Sequence, residues 1–226
     1  MTNTPGVLTG ATAELALALT LAAARATGAA EARLRAGRWH GFDTTGDLGI
    51  ELGGATFGIV GMGRIGRRYA ELVRPLAGEL LYFNRSPAPE AERELGASRV
   101  ELGELLSRAD VVSLHLPGGE ETAGTIADAE LARMRSNAIL VNTARGSLVD
   151  SEALAAALEE GRIGAAGLDV YEREPEVPAR LLAAPNCALL PHVGSATVRA
   201  REGMANLVAD AVLAALDGER PPNRIA

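Results

Sequence analysis

The stretch Gly58-Ile59-Val60-Gly61-Met62-Gly63-Arg64-Ile65-Gly66 decides how this chain is read. An apolar run, Thr56 to Val60, meets three spaced glycines and leads into Arg64 to Ala77, a segment of helical composition. A strand, a tight glycine turn and a helix in that order make a dinucleotide-binding fingerprint. Gly61 permits the turn, Gly63 lets a pyrophosphate approach the backbone, and Gly66 lets helix and strand pack closely. Arg64 and Ile65 open the helix, where free N–H groups face the phosphates.

On either side, short apolar runs alternate with helical stretches, the pattern of repeated βαβ units in a parallel sheet. Further strands are expected at Leu80 to Phe83, Ser98 to Val100, Val111 to Leu114, Ile139 to Asn142, Ala165 to Leu168 and Ala188 to Leu190. Helices are expected near Glu90 to Leu95, Leu102 to Ser107, Asp128 to Arg133, Ser151 to Glu160 and Ala196 to Leu216, the last stopped by Pro221 and Pro222. Before the fingerprint lie a helix, Thr12 to Ala26, and a glycine-rich arm, Gly37 to Gly54, with Trp39 and Phe42. That helix is apolar nearly all round, so it should be buried on more than one side. The fold class is α/β: a doubly wound parallel sheet of Rossmann type, with an N-terminal helix and arm and a long C-terminal helix.

Composition narrows the function. With 22 basic and 29 acidic residues the net charge is −7, and only 3% of residues are aromatic, so neither phosphate neutralisation nor base stacking favours a nucleic-acid partner. The longest apolar stretch, Leu15 to Ala24, falls short of the roughly 20 residues of a membrane span. As a signal peptide it lacks a basic n-region, since Met1 to Ala13 carries no Lys or Arg. The lone Cys187 makes no intrachain disulfide and no multi-cysteine metal site, which points to a reducing cytoplasm, small-molecule chemistry and no metal.

The second strand ends in Tyr82-Phe83-Asn84-Arg85-Ser86, without the acid that would bind the ribose hydroxyls of NAD. Arg85 and Ser86 can instead pair with a 2′-phosphate, which favours NADP(H), with NAD(H) possible. The bland alternative is that Arg85 is a solvated surface cation.

Three later strand ends carry ionisable groups: Asn142-Thr143-Ala144-Arg145-Gly146, Asp169-Val170-Tyr171-Glu172-Arg173-Glu174-Pro175 and Pro191-His192-Val193-Gly194-Ser195. Ligands of open α/β sheets bind outside the carboxyl ends of the strands, so an Arg, an acid and a His should meet in one crevice. The Arg offers a fork for a carboxylate, the His moves a proton, and the acid fixes one imidazole tautomer. Both Glu172 and Glu174 are available for the acid.

Together with Ser113-Leu114-His115-Leu116-Pro117 and Gly167-Leu168-Asp169-Val170, these segments resemble the D-2-hydroxyacid dehydrogenase family, in particular its NADP-linked glyoxylate/hydroxypyruvate reductase branch. The resemblance covers nearly the whole chain. By the family's Arg-to-Glu interval it implies Glu174 rather than Glu172 as the acid. On it, Arg145 orients the keto acid, Glu174 pairs with His192, and His192 is the general acid in reduction. It also implies cofactor contacts at Asn84, Arg85, Ser86, His115, Leu116, Pro117, Thr122, Thr143, Ala144, Arg145, Asp169, His192 and Gly194, with Asp169 on the nicotinamide carboxamide and His115 acting through its backbone. His40 stands outside any motif, and Glu120 and Glu121 are expected to form a solvated polar face.

The resemblance further implies a division into an interdomain helix and dimerisation arm (1–54), a cofactor domain (55–190), and the histidine loop with the C-terminal helix of a substrate domain (191–226). Met1 to Val7 resembles the family's crossing point into the cofactor domain, so most of that substrate domain is expected to be lacking. The C-terminal helix should then expose an apolar side. A homodimer is expected through the first helix and the arm around Trp39. An enzyme reducing glyoxylate or hydroxypyruvate is the first functional reading; a catalytically weak NAD(P)-binding module, or a nicotinamide-sensing partner protein, is the second.

Overall fold

The computed structural model describes residues 1–46, 48–184, 186–221 and 223–225. Seven strands lie in one sheet: β1 (Ala55–Val60), β2 (Ala77–Phe83), β3 (Ser98–Arg99), β4 (Val111–Leu114), β5 (Ile139–Asn142), β6 (Ala165–Leu168) and β7 (Cys187–Leu189). Their order is β3-β2-β1-β4-β5-β6-β7, and every pairing is parallel. Chain direction across the sheet reverses between β1 and β4, which opens a crevice at their carboxyl ends.

The strands read as continuous apolar runs because helices cover both faces. Alternate residues serve alternate cores. Phe57, Ile59, Val111, Ile139 and Val141 join Leu19, Tyr69 and Val73 on one side; Val60, Val112, Leu114 and Leu140 join Leu105, Leu106 and Leu154 on the other. The first side is covered by α1 (Thr9–Ala24), α3 (Arg64–Val73) and α4 (Pro89–Leu95), the second by α5 (Leu102–Arg108), α6 (Asp128–Leu131), α7 (Ser151–Glu159) and α8 (Ala179–Ala183).

Several expected boundaries move for local reasons. α3 ends at Val73 rather than Ala77, because Pro75 has no N–H to continue the ladder, and β2 starts at Ala77. α1 stops at Ala24; Ala26 turns left-handed at φ 45° and an unforeseen α2 (Thr27–Arg35) departs at 67°. α2 buries no residue, so it left no apolar periodicity to read. The last helix, α9 (Val198–Leu216), is stopped by Gly218 at φ 74°, ahead of the prolines, with the Glu219 N–H returning to the Ala214 carbonyl.

α1 corrects another expectation. Its buried residues, Thr12, Ala13, Ala16, Leu19, Thr20, Ala23 and Ala24, form one stripe, while Glu14, Ala18 and Leu21 face outward. Trp39, Phe42 and Leu48 of the arm are exposed, as are Val198, Val212, Leu213 and Leu216 of α9. The exposed side of α9 matches the expectation. Among the described residues no single helix is long and apolar enough to cross a membrane.

Candidate functional site

A cleft of about 710 Å³ lies where the carboxyl ends of the strands meet the N-termini of α1 and α3. Into it come Gly63, Arg64 and Ile65 from the fingerprint, His115, Leu116 and Pro117 after β4, and Thr143, Ala144 and Arg145 after β5. Asp169 after β6, and His192 and Gly194 after β7, close the far wall. Twelve of the residues expected from sequence therefore share one cavity.

The fingerprint has the shape of a phosphate cradle. Gly61 sits at φ 100°, where a Cβ would stand 2.8 Å from the His115 carbonyl, and a Cβ on Gly66 would stand 2.0 Å from the Gly61 oxygen. Both glycines are needed for backbone to touch backbone. Gly63 differs: a Cβ there meets nothing within 4 Å, so its space is open. Gly63 is also the N-cap of α3 and supplies no side-chain cap, leaving first-turn N–H groups for a ligand. In the same cleft, the buried Thr143 hydroxyl has no hydrogen-bond partner among the described residues. Open space, uncapped N–H groups and an orphaned hydroxyl fit a dinucleotide.

Beneath the cradle lie two buried polar contacts that sequence reading missed. Thr20 spends its one hydroxyl hydrogen on the Ala16 carbonyl (2.7 Å), so the Tyr69 phenol must be the donor to Thr20 (2.8 Å). Separately, the Ser113 hydroxyl meets His115 Nε2 at 2.9 Å. His115 Nδ1 is buried and has no hydrogen-bond partner among the described residues. Burial pushes the His115 pKa down to about 3, so the ring stays neutral, and burial also raises that of Tyr69.

The catalytic candidates are held by backbone bonds. Buried Asn142 donates from Nδ2 to the Arg145 carbonyl (2.8 Å) and accepts from the Ala144 N–H (3.0 Å), folding the turn that presents Arg145. Gly146 packs directly on the chain at Tyr171; a Cβ would lie 1.9 Å from the Tyr171 carbonyl carbon. The Tyr171 N–H in turn donates to Glu174 Oε1 (3.0 Å), and Glu174 Oε2 meets His192 Nδ1 at 2.6 Å. Of the two candidate acids it is Glu174 that faces the imidazole; Glu172 accepts from the Ser151 N–H (3.2 Å). Burial works to raise the Glu174 pKa, but the bonds from His192 and Tyr171 outweigh it and hold the carboxyl below its ordinary 4.5. Glu174 thus contributes stability that is complete above pH 4.5 and lost as pH falls through its lower folded value. Glu174→Gln should remove this acid limb from a series of thermal melts against pH.

Asp169 is almost wholly buried, and its two oxygens accept from the Val193 and Gly194 N–H groups, each at 2.8 Å. Desolvation nevertheless outweighs these bonds and raises its pKa. Its visible work is to shape the histidine loop, with the His192 N–H donating to the Asp169 carbonyl (2.9 Å). His192 is held there at φ 54°, a left-handed conformation costing a non-glycine residue roughly 1–2 kcal/mol.

The remaining expected residues lie outside this cleft. Asn84 donates to the Ser86 carbonyl (2.9 Å), and Arg85 is solvent-exposed with Nη1 3.6 Å from Glu121 Oε2. Glu121, expected to be merely solvated, therefore has a partner, though an exposed pair of this kind contributes little stability. The Thr122 hydroxyl is turned into its own loop, on the Pro117 (2.8 Å) and Gly119 (3.2 Å) carbonyls, rather than into the cleft.

A dinucleotide cradle facing a paired Glu and His across a shared cleft defines a class: nicotinamide-dependent oxidoreductases of Rossmann architecture. Residues 17–194 match the family described as D-isomer specific 2-hydroxyacid dehydrogenase, NAD binding domain. The chain is 48% identical to a glyoxylate reductase of Thermococcus litoralis, covering all of this chain and 69% of that protein. Among solved structures it superposes on a glyoxylate reductase from Paecilomyes thermophila (TM-score 0.88, 41% identity, 97% of this chain and 66% of that one). It likewise superposes on an NADPH-dependent glyoxylate/hydroxypyruvate reductase from Sinorhizobium meliloti, in complex with citrate (TM-score 0.88, 36% identity, 100% and 70%). This chain belongs to the D-isomer specific 2-hydroxyacid dehydrogenase family. Its cofactor is a nicotinamide dinucleotide and its substrate a small 2-keto acid.

Proposed function

We propose that this protein reduces glyoxylate or hydroxypyruvate to the corresponding 2-hydroxy acid, with NADPH as the preferred reductant. The observation that carries this reading is the 2.6 Å Glu174–His192 pair beside a cleft lined by Arg145 and by the open glycine cradle. When bound, the reduced nicotinamide supplies a hydride to the carbonyl carbon. Arg145 presents its guanidinium fork to the substrate carboxylate and orients the carbonyl. With His192 Nδ1 committed to Glu174, Nε2 is the nitrogen left to give a proton to the carbonyl oxygen. Glu174 holds that tautomer and stabilises the charged ring before the proton leaves. The preference for NADP(H) rests on Arg85 and Ser86 at the end of β2, with no acid among Asn84 to Ser86. Mixing the protein with NADPH and each keto acid, and following the loss of nicotinamide absorbance, tests this reading. Binding of NADPH without turnover of any 2-keto acid would instead support a cofactor-holding module.

The same reading divides the chain into an interdomain helix and arm (1–54), a cofactor domain (55–190) and a histidine loop with its helix (191–226). It also makes the protein a homodimer, held by the outward side of α1 and the arm. Leu21, Trp39, Phe42 and Leu48 are exposed there, and such an apolar surface is covered most economically by a second copy. Sizing chromatography at micromolar concentration should give a dimer, and Trp39→Asp should shift it to monomer.

A further inference from the structure

Arg99, at the end of β3, turns its guanidinium back onto the loop that follows β2. Its Nε donates to the Asn84 carbonyl (3.2 Å), and its Nη2 donates to the carbonyls of Asn84 (3.0 Å) and Arg85 (2.9 Å). Those three bonds use the Nε hydrogen and both Nη2 hydrogens, while a guanidinium has five. The two Nη1 hydrogens remain unspent. Both acceptors are neutral carbonyls, so the positive charge of Arg99 is positioned but not cancelled. Among the described residues no ion pair joins Arg99 to a carboxylate; Glu92 Oε1 takes the Tyr82 hydroxyl (2.5 Å), and Glu121 stands against Arg85. A cation locked through Nε and Nη2 to the backbone of residues 84 and 85, with its Nη1 hydrogens left over, is placed to donate to a phosphate oxyanion.

We propose that Arg99 is a second phosphate-binding residue of this chain. In this assignment it forms, with Arg85 and Ser86, a clamp for the 2′-phosphate monoester on the adenosine ribose of NADP(H). The inference rests on the NADP(H) preference proposed above and adds to it the residue that keeps the clamp in shape. Arg85 alone is a poor determinant, since its side chain is extended in solvent and shared with Glu121. Arg99 fixes the carbonyls on either side of the Arg85 Cα and contributes a second charge at a set place.

The test is equilibrium binding of NADPH and NADH, by calorimetry, to the wild-type chain, Arg99→Gln and Arg99→Lys. Arg99→Gln is expected to weaken NADPH about tenfold while changing NADH less than about twofold; Arg99→Lys should retain most of the discrimination because it keeps the charge. Equal losses for both dinucleotides would make Arg99 a brace for the loop and overturn the proposal, as would no change for either. A wild-type chain binding NADPH and NADH equally would instead sink the NADP(H) preference itself. Circular dichroism of each variant, with Arg99→Lys as the conservative replacement, separates a folding defect from a lost phosphate contact.

Discussion

Replacing His192 by asparagine is expected to lower the rate of 2-keto acid reduction by about a thousandfold, within the range of general acid catalysis, while the dinucleotide still binds. The side chain has a single strong partner, Glu174, and the cofactor cradle is built on β1 and α3 without it. A collapse of kcat with retained NADPH affinity, read by single-turnover kinetics and calorimetry, is the signature of a lost proton donor. Glu174→Gln should cost on the order of a hundredfold or more, because an amide no longer dictates which imidazole nitrogen carries the hydrogen. If both variants reduced keto acids at the wild-type rate, the proposed mechanism would fail outright.

The second large effect is expected at Gly146. A methyl there would lie 1.9 Å from the Tyr171 carbonyl carbon, 2.1 Å from its oxygen and 2.4 Å from the Glu172 nitrogen. These are main-chain atoms and cannot swing aside as a side-chain tip would, so the two loops must separate. Overpacking of this severity should cost roughly 3 kcal/mol or more, a fall in melting temperature of roughly 6–12 °C for a chain of this size. Activity should fall further than stability implies, because Arg145 precedes the contact and Glu174 hangs from the Tyr171 N–H on its other side. Gly63→Ala is the contrasting variant. Its methyl meets no protein atom, so the chain should fold normally and lose dinucleotide affinity instead. A Gly146→Ala protein with unchanged melting temperature would show that the loops tolerate the separation.

Sequence and structure agree best where the physics is repetitive. Strands buried on both faces appear as apolar runs, and β4, β5 and β6 fall on the residues expected from those runs. The fingerprint is legible because glycine is demanded by contacts between main-chain atoms, which leave a mark in residue type. Arg145, His192 and Glu174 are legible as residues after strand ends, but choosing between Glu172 and Glu174 needed a resemblance, since only folded coordinates show which one faces the ring. Arg99 could not be found from sequence, because its partners are carbonyls that any residue possesses. The bond between Thr20 and Tyr69, which ties α1 to α3, was equally hidden. Helix α2 left no trace because nothing in it is buried.

The burial of His115 also bears on how a pH–rate profile would be interpreted. The chain has three imidazoles. One, at residue 115, is buried beside Ser113 and remains uncharged until strongly acid conditions, and another, at residue 40, belongs to the arm rather than the cleft. Protonation of residue 115 therefore adds no ionisation of its own to a pH–rate profile recorded near neutrality.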